Sequence, residues 1–130
     1  MKEKKLTYFL LFSLAVVSTT LLSQSSSVKK TLYAKGVESF GEKDYFSAAQ
    51  YYFQSNLDMT KALTYVNKAL EMNADKPFWF NRLKSLIQAK LGDKTGAIAT
   101  AKLSMANAEK AKNADYVKMN TDSIKEWSKK

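Results

Sequence analysis

The chain has 130 residues, enough for one small domain with its own core. It contains no cysteine and no histidine, which removes disulfides, thiolate nucleophiles, imidazole bases and the usual zinc ligands together. The formal charge is +9, but Arg82 is the only arginine, so the bidentate base and phosphate contacts of a nucleic-acid binder are absent and the scattered lysines read as a solvated surface.

In chain order, residues 1–25 read first as an address. MKEKK supplies a basic start, Leu6–Ser23 carries no charge, and QSSS follows with small residues. This is the pattern of a secretory signal peptide, with Ser23 and Ser25 filling the small positions for cleavage after Ser25; cleavage after Ser23 is a further option. The expected destination is periplasmic or secreted. The alternative is an uncleaved anchor, residues 6–23 remaining in the inner membrane. No cysteine follows the apolar run, so a lipid anchor is not expected.

Residues 26–43 are expected to form a linker or a weak helix over Lys29–Phe40, interrupted by Gly36. From there on the apolar spacing is helical, with no alternation long enough for a strand. A helix is predicted from about Asp44 to Ser55. The next places Ala62, Leu63, Val66, Ala69 and Leu70 on one stripe, with Asp58 as N-cap and Asn73 as a residue that tolerates a left-handed end. Pro77 suits the first turn of a third helix, in which Phe80, Leu83, Ile87 and Leu91 recur. Gly92 ends it, and Asp93 caps a fourth with Ala97, Ile98, Ala101, Met105 and Ala108 as its inner stripe. AKNAD breaks the pattern before a last helix that aligns Val117, Ile124 and Trp127. Ala62, Ala69, Ala97 and Ala101 are small enough to be holes for the bulk of Tyr52, Phe53, Trp79 and Phe80.

The second and fourth helices match at an offset of 35 residues: Asp58 with Asp93, Thr60 with Thr95, Ala62 with Ala97, Leu63 with Ile98, Leu70 with Met105. A helix, an aspartate turn, and a helix with alanine four residues on resemble a tetratricopeptide repeat, whose unit is about 34 residues. LGDKTGAIATAKLSM and LDMTKALTYVNKALEMNADKP carry the likeness, and EKDYFSAAQYY echoes it through Asp44, Tyr45 and Ala48. Lys84 or Ser85 stands where the family favours a Leu-Gly pair, and Asp44 and Asp58 are only 14 apart, too close for both to open second helices. The resemblance implies an all-α domain of about two helix pairs and a capping helix over 44–128. The same segments, ending in YVKMNTDSIKEWSKK, are similar to the helical C-terminal tail of a family of exported bacterial proteins in which a β-rich domain precedes the tail; here the expected signal peptide leads almost directly into the helices, and no such domain is expected.

The function expected is non-catalytic, with no catalytic residue, cofactor or metal. Glu38, Asp44, Asp58 and Asp93 are the natural acids, but the three aspartates read better as helix caps, and Tyr51, Tyr52 and Tyr65 as packing. In stacked helix pairs the first helix of each pair lines the concave side. There the candidate partner-binding residues are Ser47, Tyr51 and Gln54 on one helix, and Asn81, Arg82, Ser85 and Gln88 on the next, with Lys84 at the edge. A protein or peptide partner is expected, nucleic acid is not, and the membrane enters only through the N-terminal segment. The alternative is a structural accessory subunit or self-associating helical tail, a homo-oligomer among its forms, with Phe78 and Trp79 as contacts if they are not core.

Overall fold

A computed structural model of the chain describes residues 42–130. The signal-peptide and anchor readings, residues 26–41 of the 26–43 segment and Glu38 lie outside the described residues. Five helices follow one another: α1 (Glu42–Gln54), α2 (Met59–Met72), α3 (Phe78–Lys90), α4 (Lys94–Lys110) and α5 (Ala114–Trp127). The described residues are all-α, as the helical spacing predicts, and no described helix is long and apolar enough to cross a membrane.

The helix starts follow the sequence closely. Asp58 Oδ1 accepts the N–H of Lys61 at 3.0 Å and Asp93 Oδ1 that of Gly96 at 2.9 Å, each satisfying a first-turn donor that has no partner within its helix. Asn113 does the same for Tyr116 at 3.0 Å. Asp44 is different: it lies inside α1 rather than capping it. Pro77 precedes the first residue of α3.

Three of the four connections share one turn. Asn56, Gly92 and Lys112 have φ values of 53°, 87° and 57°. In each case the next N–H reaches back to the carbonyl five residues earlier: Leu57 to Tyr52 at 2.9 Å, Asp93 to Gln88 at 2.9 Å, Asn113 to Ala108 at 2.8 Å. This is a Schellman closure, and it returns the chain antiparallel within a few residues. The α2–α3 link is built otherwise. Asn73 is extended (φ −122°, ψ 109°), not left-handed as expected; its side chain accepts the Asp75 N–H at 2.9 Å, and the left-handed residue is Lys76.

Each helix packs chiefly on its neighbours in sequence, and α1 and α5 both also touch α3. Every other described helix therefore contacts α3. The alanines act as the expected holes: Ala62, Ala69, Ala97 and Ala101 are fully buried, as are Ala48 and Ala49. Tyr45 and Tyr52 fill the α1–α2 interface against Tyr65, with ring centroids 6.0 and 5.8 Å apart. Phe80 is a buried knob, whereas Trp79 is exposed. On α4 the inner stripe is rotated from the expected one: Thr100 and Ser104 are buried with Ala97, Ala101 and Ala108, while Ile98 and Met105 are half-buried.

Candidate functional site

The crevice between α1 and α3 is lined by rings because both helices bring aromatics to it. Phe46 of α1 stacks on Phe80 of α3 with centroids 4.5 Å apart and planes 11° from parallel. Phe78 sets its ring edge-on to Trp79 at 4.9 Å and to Tyr116 of α5 at 4.8 Å. Trp79 keeps 44% of its surface in solvent, unusual for a large indole with ring neighbours on both sides.

Two cavities open there and share Phe46 and Trp79. The larger, about 820 Å³, runs from these rings to the α2–α3 link (Asn73, Asp75, Lys76) and the end of α4 (Asn107, Lys110). The smaller, about 250 Å³, continues along α1 and α3 past Gln50, Phe53 and Gln54 to Arg82 and Tyr116. Together they form one groove with an aromatic middle. The larger cavity is of the size typical of a ligand site, and its ring-lined middle is flanked by polar and charged side chains.

Arg82 is held from one side only. Its Nη1 donates to Ser123 Oγ at 2.8 Å and to Asn120 Oδ1 and the Met119 carbonyl, both at 3.3 Å. All three acceptors belong to α5 and all are uncharged. No carboxylate pairs with Arg82 among the described residues, and its Nε and Nη2 make no hydrogen bond there and are not sealed from solvent. Partial burial lowers its pKa from the usual guanidinium value, Tyr116 opposing the shift, and the group stays cationic. Behind it a polar relay fixes the groove wall: Asn120 Nδ2 donates to Ser104 Oγ at 2.9 Å, and Ser104 Oγ to the Phe78 carbonyl at 2.8 Å.

The structure separates the seven expected binding residues. Ser47 lines the larger cavity; Gln54 and Arg82 line the smaller. Tyr51 is half-buried, edge-on to Tyr52, and lines neither. Asn81 is 5% exposed and Ser85 0%, so the stripe that was to face solvent is turned inward. The physical reason is the central place of α3, which has neighbours on several sides. Ser85 Oγ meets its own need by donating to the Arg82 carbonyl at 2.6 Å. Gln88 is half-buried near the Asp93 cap, with an Oε1 that is buried and unpaired. Lys84 is half-buried and lines neither cavity. Sequence reasoning missed Phe46, and it placed Trp79 among the core knobs or in an accessory interface. The available signal was three consecutive aromatics, Phe78–Phe80, at a helix start, where one helix cannot bury all three directions.

No protein-family model, curated protein or solved structure matches the chain.

Proposed function

We propose that this is a non-catalytic, exported helical-repeat protein of tetratricopeptide-like type that binds a protein or peptide partner in the groove between α1 and α3. The observation that carries the reading is Trp79, a solvent-facing indole in the middle of an aromatic groove of ligand size. The repeat type draws support from the 35-residue recurrence, in which Asp58 and Asp93 make the same cap. It also draws support from the contacts that α1, the first helix of the other pair, and α5, the capping helix, both make with α3. The non-catalytic part rests on how the acids are used: Asp58 and Asp93 are spent on helix N–H groups. Export rests on the basic, apolar and small-residue order of the first 25 residues.

The experiment is a selection of random peptides on the purified full chain and on its Trp79→Ala variant. Because Trp79 is exposed, the variant keeps its fold, which circular dichroism verifies. The reading expects a consensus on the parent that is lost on the variant. No consensus, or one the variant retains, contradicts it. In the alternative reading, an accessory subunit or self-associating tail without a groove, the chain would select nothing, and the self-associating form would sediment as an oligomer.

A further inference from the structure

The groove has a charge pattern as well as an apolar middle. Asp75 is the one carboxylate lining either cavity among the described residues, against Lys76, Lys110 and Arg82. Lys76 is partly committed, its Nζ donating to the Leu70 carbonyl at 2.9 Å. Lys110 makes no ion pair among the described residues, and neither does Arg82. These two unpaired cations lie in different cavities, with Phe46 and Trp79, which line both, where the cavities meet.

We infer that the occupant of the groove is a peptide segment carrying an apolar or aromatic residue with acidic side chains on both flanks. This rests on the peptide-binding reading above and deepens it. The apolar residue enters between Phe46 and Trp79, where ring surface is already partly dry. One flanking carboxylate takes the Nε–Nη2 edge of Arg82, which has no hydrogen bond among the described residues while Nη1 is anchored on α5. The carboxylate on the other flank approaches Lys110. A single terminal carboxylate would meet only one of the two cations and leave the other unpaired. A single-stranded nucleic acid also combines negative charge with stacking groups, but it needs open ring faces. Here Phe46 and Phe80 are already stacked on each other, leaving Trp79 as the one strongly exposed ring of the groove.

The test is a titration of the full chain with four probes. The first is a heptapeptide, blocked at both ends, with phenylalanine at its centre and two glutamates on each side. The second has glutamine in place of glutamate. The third is the glutamine peptide cut to end in phenylalanine with a free carboxylate. The fourth is an oligothymidylate. The first is expected to bind about tenfold or more tightly than the second, the size of one or two charge-assisted contacts. Its affinity should fall with added salt, while that of the second should not. Lys110→Gln, a change at an exposed residue, should weaken the first peptide severalfold and leave the second unchanged, and Arg82→Gln should do the same. Lys110→Gln keeps the test decisive even where loss of Arg82 loosens α5. Equal binding of the first and second peptides overturns the charge pattern, and so does a third peptide as tight as the first. Tighter binding of oligothymidylate overturns the partner class. If no peptide binds and the random selection also yields none, the peptide-binding reading itself falls.

Discussion

Gly96 sits where a side chain would do damage. A Cβ there would meet Oδ2 and Cγ of Asp93, the residue that caps α4, and would lie 2.9 Å from Gln88 Nε2. Alanine normally gains up to about 1 kcal/mol over glycine within a helix. At this position it would displace a cap of about 1 kcal/mol and crowd a packed amide, which costs about 1–3 kcal/mol. Gly96→Ala is therefore expected to destabilise by about 1–3 kcal/mol net, read as a lower urea midpoint at unchanged slope. A stabilised variant would mean that the Asp93 cap contributes little. Asp58 makes the same cap on α2 although Lys61, which carries a Cβ, stands at the position matching Gly96. The two repeats are thus alike in backbone but not in tolerance.

At the scale of elements, helix starts were legible because their signals are local. Asp58, Pro77 and Asp93 each act within three residues of themselves, and Gly92 ends α3 with the positive φ that favours glycine. The same turn at Asn56 and Lys112 carried a weak signal or none, because asparagine and lysine there adopt a conformation set by the closure and not by their own preference. Lys112→Gly should relieve about 1 kcal/mol of left-handed strain and raise the melting temperature; a lower one would show that its side chain contributes more than the strain costs. Burial was less legible than helicity. Polarity predicts an outward face only where a helix has an outside, and α3 has little. Hence Asn81 and Ser85 are inside while Trp79, at the mouth of the α1–α3 crevice, is out. The α1–α2 interface adds a pH dependence. Burial raises the pKa of both Tyr52 and Tyr65, with Asp58 adding to the first and Tyr52 and Tyr45 to the second. Up to the unfolded value of about 10 both states are neutral and the contribution is complete. Above it the unfolded chain ionises first, so stability falls as pH rises through the raised folded values. Tyr65→Phe should move the alkaline unfolding midpoint upward, followed by circular dichroism with tyrosinate absorbance; an unmoved midpoint would exclude this group as its cause.

Across the described residues, the molecule is a row of antiparallel helices closed at one end by α5 and opened along one side by the groove. The C-terminal end of the row carries two exposed pairs, Lys118–Asp122 on α5 at 2.8 Å and Glu126 with Lys129 just past its end at 3.1 Å. Such pairs contribute little stability but keep the end of the row wetted. The inner face of α5 is joined to α3 and α4 by Arg82, Asn120 and Ser104, so one polar relay both seats the capping helix and shapes the groove. The central claim is that the groove receives the ligand at Trp79. The most direct measurement is acrylamide quenching of the Trp127→Phe variant of the full chain, in which Trp79 is the only tryptophan left. Saturation with the glutamate-flanked phenylalanine peptide, or with a peptide from the random selection, should cut the quenching constant severalfold as the indole is covered. Quenching that stays the same while the peptide is demonstrably bound would place the ligand elsewhere and contradict the account.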